Sequence, residues 1–253
     1  MKKYIFGNWK LNKNQAEVST FFATFNKQQV KSDYLVYGVA PTFLGLQLAN
    51  YLKQGQTNIV AQDVCEYEHG SFTGQISVRQ LNDLNINYVI VGHSEARKYL
   101  GCTDQIVNKK VAICLANDIT PIICIGESLK EYKAKQTKKV LAKQLKTIFK
   151  GISVSEAKKC IIAYEPLWAI GSGKTPSLSE INGLCTYLKQ VLKTLYKQTM
   201  NTPILYGGSV NNDNAIEIAT QLSVDGLLIG GASLDANKFA TILQHLNLWL
   251  TRK

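Results

Sequence analysis

Cys160-Ile161-Ile162-Ala163-Tyr164-Glu165-Pro166 is a short apolar run that stops on a carboxylate and a proline. Its residues suit a strand buried on both faces, as in a parallel sheet. An amphipathic stretch near 128–150 precedes it, and another near 178–198 follows. The same alternation extends to both ends of the chain. The strand candidates are Tyr4–Asn8, Tyr34–Ala40, Asn58–Gln62, Tyr88–Gly92, Thr120–Ile125, Cys160–Tyr164, Pro203–Tyr206 and Asp225–Ile229. Helical spacing follows each of them, near 15–28, 43–53, 78–85, 103–117, 128–150, 178–198, 212–221 and 234–248. Eight βα units in about 250 residues is the count and size of an α/β fold of the (β/α)8 type, a closed parallel barrel with outer helices. A doubly wound open sheet is the alternative. No composition break or linker divides the chain, so one barrel domain over residues 1–253 is the expectation.

The composition narrows the class of function. The chain has 253 residues, 45% of them hydrophobic and 19% charged, which is an ordinary globular balance. Its start lacks the apolar stretch of about 7–15 residues that a secretory signal needs. No uninterrupted apolar run approaches the ~18 residues of a membrane span. Six cysteines (65, 102, 114, 124, 160 and 185) are scattered, with no Cys-x-x-Cys pair and no adjacent histidine ligands. A reduced, cytoplasmic protein without a metal site is expected.

The net charge of +11 raises the question of a polyanionic partner. Most of it lies between Lys130 and Lys159, where ten lysines face only Glu131 and Glu156. Val140, Leu141, Leu145 and Ile148 recur at helical spacing there, so the lysines read as the solvated face of an amphipathic helix. Lysine without arginine is poor material for reading bases, and no nucleic acid is expected.

A barrel of this kind places its chemistry just beyond the carboxyl ends of the strands. Asn8 and Lys10 end the first unit, His93-Ser94-Glu95 the fourth, Glu165 the sixth, Gly207-Gly208-Ser209 the seventh and Gly230-Gly231 the eighth. Glu165, shielded by Trp168 and Ile170, is a candidate general base whose pKa burial would raise. His93 precedes Ser94-Glu95-Ala96-Arg97, which reads as the first turn of a helix. A helix amino terminus disfavours imidazolium, so a neutral His93 could donate a hydrogen bond to a carbonyl oxygen. Lys10 supplies positive charge for an anionic substrate. Ser209 and the two Gly-Gly turns can aim backbone N–H groups at a phosphate.

Gly171-Ser172-Gly173-Lys174-Thr175 looks like the end of a P-loop. That pattern requires glycine five residues before Gly173, where Trp168 stands, so a nucleotide reading of this motif fails. Pro166 to Pro176 instead reads as a lid, with apolar residues able to cover the mouth and small residues at its far end.

Asn8-Trp9-Lys10, His93-Ser94-Glu95, Cys124-Ile125-Gly126-Glu127, Tyr164 to Gly171, Tyr206-Gly207-Gly208-Ser209-Val210 and Gly230-Gly231-Ala232-Ser233-Leu234 together closely resemble the triosephosphate isomerase family. The resemblance runs through the whole chain in order and implies a TIM barrel. It implies interconversion of dihydroxyacetone phosphate and D-glyceraldehyde 3-phosphate through an enediolate, in glycolysis and gluconeogenesis, without metal or organic cofactor. By the same resemblance Glu165 is the base, His93 polarises the carbonyl, and Lys10 with Asn8 offsets the substrate's charge. Gly171, Ser209, Gly230 and Gly231 would bind phosphate through backbone N–H groups, and Ser94 and Glu95 would support the site.

The family is usually a homodimer in which a loop after the third strand inserts beside the neighbour's active site. Cys65 to Arg79 resembles that loop, with its tip at His69-Gly70-Ser71-Phe72-Thr73-Gly74. Three positions depart from the family pattern. Cys65 replaces a common Asn, Gln75 a usual Glu and Ala96 a usual Arg. In the family that Glu and Arg typically pair across the interface, and losing both avoids an orphaned charge. A less charge-fixed dimer is expected. The rival readings are another sugar-phosphate enzyme on the same barrel and a non-enzymatic binder using the Lys130–Lys159 face.

Overall fold

The computed structural model describes residues 2–28, 30–170 and 175–252. Eight strands close a barrel in sequence order: β1 (Lys3–Asn8), β2 (Leu35–Ala40), β3 (Asn58–Ala61), β4 (Tyr88–Val91), β5 (Thr120–Ile125), β6 (Ile161–Tyr164), β7 (Ile204–Tyr206) and β8 (Gly226–Ile229). Every pairing is parallel, including the one between β1 and β8 that shuts the ring. This is a TIM barrel, as the alternation of strand and helix implied.

Period-2 alternation sorts each strand's residues between two cores. Phe6, Ala40, Val60, Ile90, Ile122, Cys124, Ile161, Ala163, Leu205 and Leu228 fill the barrel. Their neighbours Ile5, Val39, Ile59, Val89, Ile123, Ile162 and Ile229 pack outward against the helices. Strands buried on both faces therefore carry the uninterrupted apolar runs that made them legible. Gly226 permits the final closure, because a Cβ there would lie 1.8 Å from the Tyr4 carbonyl oxygen.

The helices are α1 (Gln15–Phe25), α2 (Phe43–Leu52), α3 (Val78–Asp83), α4 (Ser94–Tyr99), α5 (Asp104–Ala116), α6 (Leu129–Lys133), α7 (Thr137–Ile148), α8 (Val154–Ala157), α9 (Leu178–Tyr196), α10 (Ala215–Ala219) and α11 (Ala236–Thr251). Capping boxes start several of them. Asn14 and Glu17 exchange bonds at α1, and Ser177 and Glu180 do so at α9. Trp9, Phe21, Phe25 and Phe239 pack ring against ring, joining the end of β1 to α1 and α11.

The structure corrects one expectation here. The stretch near 128–150 is two helices, not one, broken at Lys135, whose φ of +56° is left-handed. The Gln136 N–H donates back to the Glu131 carbonyl and ends α6. No glycine marks this turn, so the sequence carried no sign of it. The short α8 was also not foreseen; the Ser153–Glu156 capping box starts it. Among the described residues no helix is long and apolar enough to cross a membrane.

Candidate active site

The carboxyl ends of five strands meet around a cavity of about 360 Å³. Asn8, Lys10, His93, Glu165, Ser209, Gly230 and Gly231 all line it. Gly171, the remaining expected phosphate ligand, lies outside the described residues, as does the 171–174 part of the expected lid.

Glu165 follows β6 directly and is 2% exposed. Its Oε1 lies 3.2 Å from His93 Nε2, and its Oε2 accepts the Ser94 N–H at 3.2 Å. Two glycines make this position possible. A Cβ on Gly126 would meet the Glu165 carbonyl oxygen at 1.8 Å, and one on Gly207 would meet its Cγ at 3.0 Å. Cys124 lies beside it in the barrel; burial and the nearby carboxylate hold that thiol well above its ordinary pKa.

His93 caps α4. Its Nδ1 accepts the Glu95 N–H at 3.3 Å, which leaves the ring hydrogen on Nε2, facing Glu165. Ser94 thus acts on the site through its backbone amide, and Glu95 through both its amide and its carboxylate. The titration of the pair differs from the sequence-based expectation. Burial alone would raise Glu165 and lower His93, but the two groups overrule burial in each other. Glu165 is held below the usual carboxylate range and His93 above its ordinary value. The sequence could not show this, because the distance between the two side chains is set only by barrel closure.

Lys10 has φ +54°, an uncommon left-handed backbone for a lysine. Its N–H donates to Asn8 Oδ1 at 3.0 Å, and its carbonyl accepts Gln62 Nε2 at 2.9 Å. Those bonds turn the side chain across the mouth, where Nζ lies 2.9 Å from Glu95 Oε1. Gln62 also donates to the Ala40 carbonyl, so it clamps the ends of β1 and β2 together. Sequence reasoning gave Gln62 no role, although its place at a strand end was the available signal.

Ser209 Oγ donates to the Ala169 carbonyl at 2.5 Å, and Asn214 Nδ2 donates to the Ser209 carbonyl. The Gly230-Gly231 turn is held by Ser233, whose hydroxyl donates to the Gly230 carbonyl and whose own carbonyl accepts Trp9 Nε1. A Cβ on Gly230 would point into the site, 3.9 Å from Lys10 Cε, and one on Gly231 would stand in open space. The two turns therefore keep backbone, not side chain, at this wall.

Glu127 is a second residue whose role was missed. It is fully buried and accepts the Tyr164 hydroxyl at 3.2 Å and Trp168 Nε1 at 2.9 Å. Burial raises its pKa against the pull of those two donors. The contacts tie the segment after Glu165 back onto the end of β5.

A buried carboxylate against an imidazole, with a cation and bare backbone opposite, defines an acid–base barrel enzyme for small anionic substrates. The triosephosphate isomerase profile matches residues 3–246. The triosephosphate isomerase of Mycoplasmoides gallisepticum is 46% identical, over 96% of this chain and 98% of the relative. That of Mesomycoplasma hyopneumoniae (strain 232) is 41% identical, over 96% and 99%. The chain belongs to the triosephosphate isomerase family and is an isomerase.

Proposed function

We propose that this chain interconverts dihydroxyacetone phosphate and D-glyceraldehyde 3-phosphate, in glycolysis and gluconeogenesis, as one catalytic domain over residues 1–253. The observation that carries the site assignment is the 3.2 Å contact between His93 Nε2 and Glu165 Oε1 at the barrel mouth. A substrate carbonyl oxygen that takes the Nε2 hydrogen separates the two groups. Glu165 then loses the partner that lowered its pKa and keeps the burial that raises it, so it becomes a stronger base when the substrate arrives.

Glu165 removes the proton beside the carbonyl, and the electron pair moves onto the carbonyl oxygen to give the enediolate. His93, neutral, donates to that oxygen and passes protons between the two enediolate oxygens. Glu165 returns its proton to the neighbouring carbon. Atoms and electrons balance within the substrate and these two side chains, so the reaction asks for no cofactor. Lys10, with Asn8 fixing its backbone, offsets the phosphate dianion and the charge that develops on oxygen. Ser209, Gly230 and Gly231 offer the phosphate backbone N–H groups, and Gly171 is assigned the same task by family resemblance.

A coupled assay with either triose phosphate tests the activity, and its pH profile tests the pair. In His93→Gln, turnover is expected to fall by about 10²-fold. Glu165 in that variant loses the group that holds its pKa down, so the acidic limb of kcat/KM moves to higher pH. No turnover of either triose phosphate by the wild type would overturn the function. An unmoved acidic limb would overturn the pairing argument.

The working unit in this reading is a homodimer in the cytoplasm. All six cysteines are buried and unpaired, which suits a reducing compartment. Leu11 (96% exposed), Phe43, Tyr99 and Leu100 leave large apolar side chains in solvent beside the mouth. The Cys65–Arg79 loop stands next to them, with Tyr67 and Phe72 stacked 4.2 Å apart. A second copy's loop would cover that patch. Gln75 and Ala96 leave the interface without a charge pair there, so it rests on apolar burial. In sedimentation across a dilution series the dimer is expected to dissociate at nanomolar concentration; a dimer intact at low nanomolar would overturn the weak interface.

A further inference from the structure

The lysines of residues 130–159 take no part in the mouth described above. Between α6, α7 and the start of α9 lies a separate cleft of about 730 Å³, within the size range of small-molecule sites. Its walls combine two chemistries. Trp168, Leu184 and Tyr132 give an apolar and aromatic side, with the Tyr132 and Trp168 rings stacked 4.2 Å apart. Lys133, Lys135 and Lys138 form the rim. Lys138 Nζ is held 5.3 Å over the Tyr187 ring. Among the described residues none of these three lysines is in an ion pair. Glu180 is the one carboxylate in the described lining, and its Oε2 is taken up by the Ser177 cap.

We propose that this cleft binds a nucleoside triphosphate, with its ring system against the apolar wall and its phosphates on the three lysines. Each part of the ligand answers an observation. Three lysines with no carboxylate partner suit a compact, multiply charged phosphate chain, for which lysine serves as a point charge. The apolar wall gains only if a ring covers it; a bare polyphosphate would leave it wet. An extended nucleic acid would bring successive bases to a face with one aromatic cleft, where only one could be seated. The ligand would sit against Trp168, whose N–H is bonded to Glu127, so the indole would report its arrival.

Magnesium-free ATP, titrated calorimetrically into the full chain, tests this. The mouth is first saturated with a non-isomerisable triose phosphate analogue, so that phosphate binding there is excluded. ATP is expected to bind saturably, one per chain, and at least tenfold more tightly than adenosine or inorganic triphosphate. Lys133→Gln combined with Lys138→Gln should weaken it tenfold or more. Gly183→Leu should do the same by filling the cleft from α9, where an added Cβ meets nothing within 4 Å. All variants keep wild-type isomerase activity without ATP. Absence of saturable binding, or unchanged affinity in both variants, would overturn the site. Inorganic triphosphate binding as tightly as ATP would overturn the nucleoside and leave charge alone.

Discussion

Glu165→Asp is expected to lower kcat by about 10²–10³-fold while KM stays within a few-fold of the wild type. The substitution keeps the charge and removes one methylene, so the carboxylate withdraws by about 1.5 Å. The main chain cannot follow it forward, because Gly126 already lies against the Glu165 carbonyl. Both bonds that aim the side chain, to His93 Nε2 and from the Ser94 N–H, are then stretched. A displacement of about 1 Å from reacting geometry is enough to cost roughly 10²-fold. In the proposed assignment the substrate's phosphate lies across the cavity, against Lys10 and the turns after β7 and β8, and does not feel the change. Steady-state kinetics reads both parameters. Near-wild-type turnover would remove Glu165 from the role of base.

Lys10→Met is expected to lose about 10²–10³-fold in kcat and to raise KM as well. In the proposed role the side chain meets the substrate's fixed charge, which governs binding, and lies close to where charge develops, which governs the barrier. Thermal stability should barely move. The Lys10–Glu95 pair is partly exposed on both sides, and exposed pairs contribute about 0–1 kcal/mol. Methionine at φ +54° meets the same backbone cost as lysine, so the loss is one of charge and not of fold. Lys133→Gln and Lys138→Gln remove the same charge elsewhere and should leave kcat/KM unchanged. An equal loss in those variants would return the net charge of the chain, and not Lys10, as the source of substrate attraction.

The strands were legible because each is buried on both faces and so carries an apolar run with little interruption. Strand ends, in turn, made Asn8, Lys10, His93, Glu165, Ser209, Gly230 and Gly231 candidates before any geometry was known. Of what was not legible, three features have a clear physical reason. The turn at Lys135 uses a left-handed lysine where glycine would have signalled a stop. Gln62 acts on the backbone of two other strands, which only barrel closure brings to it. The direction of the Glu165 and His93 shifts depends on a distance between side chains from β6 and the end of β4. Burial, which can be guessed from a strand end, gave the opposite sign for Glu165. Net charge misled in the same way, since it is concentrated on α6, α7 and their surroundings and says little about the mouth.

The pairing of β1 with β8 has a consequence for how the chain emerges during synthesis. Asn8 and Lys10 leave the ribosome before the strand that flanks them, Gly226–Ile229, and before every strand between the two. Gly230 and Gly231 come later still. Until then β1 has an unpaired edge beside Tyr4, and the Gly230-Gly231 wall of the cavity does not exist. A nascent or prematurely terminated chain ending before β8 would therefore lack both the closed ring that sets the His93–Glu165 distance and the turn that follows β8. Activity arrives all at once, with the closing strand, and an abortive product has nothing to contribute to flux.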